Sequence, residues 1–329
     1  MLFARIRSVA GHLPSRQVTN DDLARQHPDW DMSKMEAKTG IRSRFVASPE
    51  ECASDLAFEA CQKLFAQPCC EREAVDYLLF CTQSPDYYLP TSACLLQERL
   101  GLRTDIGAMD FNLGCSGYVY GLSLAKGLVE TGQARNVVLV TADTYSKFID
   151  ADDRSLVGLF GDAGTATWIE AVDDGVTHIG PFVFGTDGAG APNLIVKNGG
   201  LRHPRSSASE GRVSCPVFMN GPEIFNFAIR VVPDCVRRLL VSAELQPEQV
   251  DWFVFHQANL YMLEHLRKRL AVPQEKFLLR LADGGNTVSS TIPLVLEEAM
   301  ARGQFRQNDN ILITGFGVGY SWGGVMLRW

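Results

Sequence analysis

The sequence predicts an α/β protein built from two similar halves, and three observations carry that prediction. Stretches recur in the same order and character. Val75–Gln83 resembles Val250–Gln257, Gly114-Cys115 with its run to Gln133 resembles Gly285-Asn286 with its run to Gln304, and Val137–Thr141 resembles Ile311–Thr314. The offsets stay between 171 and 175 residues, as one duplication requires. Short β-branched or aromatic runs also alternate with longer amphipathic stretches, the periodicities of buried strands and helices.

In chain order, Ser54 to Phe65 reads as a helix and Tyr77 to Cys81 as a strand. Gly114-Cys115 opens a helical pattern that continues to Glu130, and Val137–Thr141 is a further strand. The second copy repeats this with a helix from Pro233 to Glu244, a strand from Trp252 to His256, a helix headed by Gly285-Asn286 and a strand at Ile311–Thr314. Such alternation predicts mostly parallel sheets, with the halves at residues 1–173 and 174–329 stacked as a five-layer sandwich about a pseudo-twofold axis. Cys115 and Asn286 then occupy equivalent places, and His256 ends the strand equivalent to the one ending at Cys81. Pro28 to Ser43, Asp86 to Ser92 and Gly185 to Pro222 read as irregular insertions that shape an entrance.

Composition excludes several classes of function. A chain of 329 residues, 46% hydrophobic and 21% charged, buries roughly three quarters of its unfolded surface. No apolar run approaches the ~18 residues of a membrane span, and the start lacks a signal peptide's core and cleavage site, so the expectation is a soluble, cytoplasmic protein without membrane insertion. Nine cysteines without paired C-x-x-C spacing point to a reducing compartment, and six dispersed histidines offer no metal site. A net charge of −7 argues against nucleic acid.

Cys115 follows Phe111-Asn112-Leu113-Gly114 at the start of a helical pattern. A thiol there feels the positive end of the helix dipole, which lowers cysteine pKa and suits an acyl-accepting nucleophile. Taken alone, it reads better as a small buried residue beside a turn, and the repeat with its partners His256 and Asn286 reverses that preference. His256 closes an apolar strand, either as a core residue bonded to a carbonyl or as an acid–base group at a strand end, where sites collect. Asn286 is either a helix N-cap or a neutral donor to a carbonyl oxygen. Gly315-Phe316-Gly317-Val318-Gly319 stands between two strand-like runs with no helix after it, which removes a dinucleotide reading. As a hairpin it supplies the Val318 N–H, which with the Cys115 N–H makes an oxyanion hole.

Together with His256-Gln257-Ala258-Asn259, Gly285-Asn286-Thr287 and Gly317-Val318-Gly319-Tyr320-Ser321-Trp322-Gly323, the Cys115 motif resembles the β-ketoacyl-acyl-carrier-protein synthase III family of the thiolase superfamily. Phe160-Gly161-Asp162-Ala163-Gly164 and Thr39-Gly40-Ile41-Arg42 resemble further motifs of that family. The resemblance implies the thiolase fold, a homodimer and catalysis by Cys115, His256 and Asn286 without a cofactor or metal. An acyl-CoA primer acylates Cys115. A malonyl thioester, on acyl carrier protein or on CoA, then loses carbon dioxide and condenses with the acyl group, in fatty acid initiation or a specialised pathway. The resemblance also implies CoA or substrate contacts at Arg42, Arg154 and Asn259, and an acyl pocket shaped by Leu89, Phe160 and Phe218. Arg267, Lys268 and Arg269 form a candidate patch for an acidic carrier. Trp30 stands farther from Thr39 than the family's adenine-stacking tryptophan, with Lys34 nearer that place. Pro222 replaces a pantetheine-contacting asparagine, and Tyr261 replaces a basic docking residue.

Two alternatives share these residues. A relative that transfers acyl groups to a hydroxyl or amine keeps Cys115 but releases no carbon dioxide. A papain-like cysteine hydrolase also runs Cys, His, Asn in chain order, with its Asn orienting the histidine.

Overall fold

The computed structural model describes residues 1–204 and 215–329, and its elements fall into two sets. The first comprises β1 (Phe3–His12), β2 (Arg16–Thr19), α1 (Asn20–Gln26), α2 (Met32–Thr39), β3 (Ser43–Val46), α3 (Ala53–Phe65), β4 (Tyr77–Cys81), α4 (Ser92–Arg99), β5 (Gly107–Phe111), α5 (Gly117–Glu130), β6 (Asn136–Asp143), α6 (Arg154–Val157) and β7 (Ala163–Val172). The second comprises β8 (Ile179–Thr186), β9 (Leu194–Val196), β10 (Val217–Met219), α7 (Gly221–Ser242), β11 (Trp252–Phe255), α8 (Leu260–Arg269), β12 (Asp283–Gly284), α9 (Thr291–Ala301), β13 (Asn310–Gly317) and β14 (Ser321–Arg328).

Two main sheets repeat one another, in the orders β1-β7-β6-β4-β5 and β8-β14-β13-β11. The duplication read from the sequence therefore pairs β4 with β11 and β6 with β13. A counterpart of β5 survives as a single parallel bridge between Phe253 and Phe277. The expectation of mostly parallel sheets is corrected: β4 runs parallel to β5 and β6, and β11 to β13, whereas β1, β7, β8 and β14 pair antiparallel. The β13–β14 connection is a three-residue hairpin, which permits only antiparallel pairing.

α3 and α4 cover the outer face of the first sheet, α5 and α9 lie between the sheets, and α7 backed by α8 covers the second, giving five layers. Tyr118, Leu122, Ala125 and Val129 recur along one stripe of α5 and bury there with Ile292, Val295 and Leu296 of α9. Each large apolar side chain so buried contributes roughly 1.5–3 kcal/mol.

Two further expectations are corrected. Within Pro28 to Ser43 lies α2, capped by Asp31 accepting the Lys34 N–H at 2.9 Å and closed by Gly40. The helix expected from Pro233 begins at Gly221, with Asn220 as cap and Pro222 in its first turn. Its buried stripe, Phe227, Val231, Cys235 and Leu239, passes straight through Pro233, so packing on the sheet outweighs one missing N–H. Asp86 to Ser92 contains no helix or strand until α4 begins at Ser92. Gly185 to Pro222 holds the β9–β10 pair, and residues 205–214 of that segment lie outside the described residues. Among the described residues no helix is long and apolar enough to cross a membrane.

Candidate active site

Cys115 lies between β5 and α5, one residue ahead of the cap Ser116, and is 7% exposed. The backbone N–H groups of Cys115 and Val318 lie near enough to its sulfur to favour the thiolate. Burial, reinforced by the Asp143 carboxyl, nonetheless pushes the thiol up to about 12. This corrects the expected lowering: desolvation of a thiolate outweighs the two amides. Gly317 must be glycine here, because a Cβ would lie 2.8 Å from Cys115 Cβ and 2.9 Å from its sulfur. A 2.7 Å hydrogen bond between the hydroxyls of Ser116 and Ser321 ties the head of α5 to the hairpin.

His256 follows β11 and is 2% exposed; its N–H donates to the Thr314 carbonyl at 2.8 Å. Thr291 Oγ1 meets the ring Nδ1 at 2.8 Å and lies 3.1 Å from the Val288 carbonyl. That contact occupies the Nδ1 edge and leaves Nε2 for chemistry. Burial lowers the imidazole pKa to about 3, so the ring rests neutral. The Phe316 ring packs edge-on at 5.7 Å. Val288 has φ of 54°, a conformation that strains a non-glycine residue by roughly 1–3 kcal/mol.

Asn286 is set by its backbone, whose N–H donates to the Leu159 carbonyl at 2.9 Å and whose carbonyl accepts the Gly161 N–H at 3.1 Å. Gly285 before it needs φ of 69°, where a Cβ would also lie 2.8 Å from the Leu159 oxygen. The side-chain Oδ1 accepts the Val288 N–H at 3.0 Å, which points the remaining function, the Nδ2 donor, elsewhere. Asn286 does not cap α9, which starts five residues later after a 3-10 turn at Val288–Ser290. Nor does it hold His256, whose Nδ1 partner is Thr291, so the hydrolase geometry is absent from this pair. Cys115, Phe160 and Phe316 share one apolar cluster, with His256 against Phe316 and Asn286 bridged to Phe160. Among the described residues no hydrogen bond joins Cys115 to either His256 or Asn286.

Residues 109–188 match the family model described as 3-Oxoacyl-[acyl-carrier-protein (ACP)] synthase III, and residues 240–329 match the model of that family's C-terminal part. A β-ketoacyl-[acyl-carrier-protein] synthase III from Caldanaerobacter subterraneus is 35% identical over 326 residues, covering 99% of this chain and 98% of the relative. The chain belongs to the synthase III family. A solved 3-oxoacyl-(acyl-carrier-protein) synthase III superposes with a TM-score of 0.97 at 52% identity, covering 99% and 100% of the two chains. A 3-oxoacyl-(acyl-carrier protein) synthase from Burkholderia xenovorans gives 0.92 at 38%, covering 99% and 94%. The thiolase fold implied by the resemblance is therefore the fold of this synthase III chain.

Other contacts implied by synthase III membership are placed unevenly. Phe160 is buried in the Cys115 cluster, its ring 5.1 Å from Tyr145. Leu89 and Phe218 are 82% and 56% exposed, on the irregular loop before α4 and on β10, and neither packs in that cluster within one chain. Arg42 is exposed and already bidentate to Asp283, at 2.7 and 3.2 Å. Arg154 is exposed at the start of α6. Asn259 caps α8 by accepting the Met262 N–H at 2.9 Å. Arg267 is turned back onto Glu264 and the Val272 carbonyl, which leaves Lys268 and Arg269 as the exposed cations of that patch. Trp30 stacks on His27 at 3.8 Å, and Tyr261 lies 5.4 Å from Phe225.

Sequence reasoning missed Thr291, Val288, Ser289 and Asp143. A carboxylate closing the apolar run of β6, and the polar Thr287–Thr291 stretch ahead of α9, were the signals.

Proposed function

We propose that this synthase III family member is a condensing acyltransferase: an acyl-CoA primer acylates Cys115, and a malonyl thioester then undergoes decarboxylative Claisen condensation to a β-ketoacyl product. The observation that carries this reading is the approach of the hairpin to one buried sulfur, with Gly317 packed against it and the Cys115 and Val318 amides near enough to favour its anion. Two donors aimed at that point suit the oxyanion of a thioester under attack.

In acylation the thiol proton passes to His256 Nε2 as sulfur attacks the primer carbonyl. The oxyanion rests on the two amides, then collapses to expel CoA thiolate, which takes the proton from the imidazolium. In condensation the ring carries its proton on Nε2. It donates, with Asn286 Nδ2, to the malonyl carbonyl oxygen as carbon dioxide departs. The carbanion attacks the Cys115 thioester, the C–S bond breaks, and the thiolate is reprotonated from solvent. The Thr291 hydroxyl donates to the Val288 carbonyl and so accepts from Nδ1–H, which leaves Nε2 bare for acylation; for condensation the ring changes tautomer and the hydroxyl turns to donate to Nδ1. This chemistry needs no cofactor or metal ion.

Malonyl acyl carrier protein is the donor we propose, with Lys268 and Arg269 as its exposed cations, and Arg42, Arg154 and Asn259 along the CoA path. A homodimer fits the open edge of β5, which ends its sheet, and the neighbouring exposed run Tyr87-Tyr88-Leu89. Thr91 Oγ1 accepts the Asp110 N–H of β5 at 3.1 Å, so that run is anchored to the same edge. A reducing, cytoplasmic compartment suits a thiol nucleophile.

Carbon dioxide release from carboxyl-labelled malonyl thioester, coupled to β-ketoacyl product, is the test. Release that needs primer and vanishes in Cys115→Ala supports the proposal. An acylated Cys115 that releases no carbon dioxide and passes its acyl group to a hydroxyl or amine overturns it in favour of acyl transfer without condensation.

A further inference from the structure

Behind His256 and Asn286 stands a charged residue to which the steps above give no task. Asp143 ends β6, is wholly buried, and among the described residues forms no ion pair. Its Oδ1 accepts the Gln83 N–H at 2.8 Å. Its Oδ2 accepts both the N–H of Ser289, at 3.4 Å, and the Ser289 hydroxyl. Ser289 lies in the Val288–Ser290 turn, which belongs to the other half of the chain. Alongside, the Ser290 hydroxyl meets Thr141 Oγ1 at 2.9 Å, and that hydroxyl meets Thr165 at 2.7 Å. The turn thus carries the side-chain partners of the two polar residues, beside the backbone bonds that hold each in place: the Val288 N–H for Asn286, the Val288 carbonyl for Thr291, and the helix start that places Thr291 on His256.

Burial raises the Asp143 carboxyl to about 7, and above that pH it is a carboxylate that accepts all three donors without presenting a competing N–H, which a neutral amide cannot do. We propose that Asp143 is a positioning residue for the condensation step: through Ser289 it fixes the turn that presents Asn286 and His256 to the malonyl group opposite Cys115. Acylation asks His256 only to relay one proton and otherwise rests on the Cys115 and Val318 amides on the hairpin side, whereas condensation needs His256 and Asn286 together on one oxygen. Loss of Asp143 therefore slows condensation more than acylation.

The inference rests on the condensing reading, and its test keeps the two apart. Asp143→Asn and Ser289→Ala are compared with the parent in acylation of Cys115 by acyl-CoA, followed by mass, and in carbon dioxide release by the pre-acylated enzyme from malonyl acyl carrier protein, with malonyl-CoA in parallel. The expected result for Asp143→Asn is acylation slowed by less than about tenfold and a kcat for release lower on the order of 10²-fold, with KM little changed. Ser289→Ala keeps its N–H and loses roughly tenfold. Thermal melting establishes that each variant is folded, and Ser289→Ala decides alone where Asp143→Asn is not. Unchanged release in the folded variants, or acylation and release falling by the same factor, overturns the inference. A parent protein that is acylated yet releases no carbon dioxide contradicts the condensing reading itself.

Discussion

Thr291 separates orientation of the imidazole from packing around it, because valine fills the same space without the hydroxyl. Thr291→Val removes the 2.8 Å partner of His256 Nδ1. One neutral hydrogen bond is worth about 1 kcal/mol, so kcat for condensation should fall roughly fivefold to tenfold with KM held and Thr291→Ser restoring it. Steady-state kinetics on the three proteins checks this; equal kcat in all of them contradicts it. Gly317→Ala places a methyl within 3 Å of the nucleophile. Acylation of Cys115 should slow on the order of 10²-fold while the melting transition survives, read by intact mass against time. At this scale the three residues proposed to react stood out in the sequence because duplication placed Cys115 and Asn286 in register and His256 at a strand end. Their partners were not. Threonine and serine ahead of a helix read as caps, and an aspartate after a strand reads as the start of a loop, until tertiary contacts supply the other half of each bond.

Elements show the same division. α3, β4, β11 and β13 followed from periodicity, since each buries a continuous apolar stripe or run. α7 did not, because proline marks a helix start locally while the sheet beneath it rewards continuing the apolar stripe through Pro233. The antiparallel strands escaped for a related reason: pairing direction is decided by connections such as the Val318–Tyr320 hairpin, not by composition. The Asn259 cap yields a prediction at this scale. Asn259→Ala should cost about 1 kcal/mol of stability through α8, read as a lower urea midpoint at unchanged slope. A rise in KM for acyl-CoA with no loss of stability would instead assign Asn259 to substrate alone.

For the whole molecule, burial of His256 makes stability depend on pH. The native imidazole takes up its proton near pH 3 and the unfolded one near 6.5, so unfolding binds a proton between those values. Its contribution is complete above about pH 6.5 and drains away as pH falls toward 3. Asp143 acts in the opposite sense. Its carboxyl is raised from 3.8 to about 7, so the native state holds a proton that the unfolded chain loses, and stability declines across that span as pH rises. His256→Ala should therefore lose less stability than the parent between pH 6.5 and 4 in urea titrations. Parallel curves for the two proteins contradict the neutral, buried imidazole. The duplicated layering and the paired sheets were legible at this scale, because a repeat of constant offset survives drift in individual residues.

Everything in the proposed reaction passes through one covalent state of Cys115, and intact mass spectrometry observes that state directly. Protein exposed to a panel of acyl-CoA thioesters and then to a malonyl thioester should first gain the mass of one acyl group at Cys115. It should then lose that mass as carbon dioxide and a β-ketoacyl thioester appear. No added mass with any primer, or the same added mass in Cys115→Ala, would contradict the account.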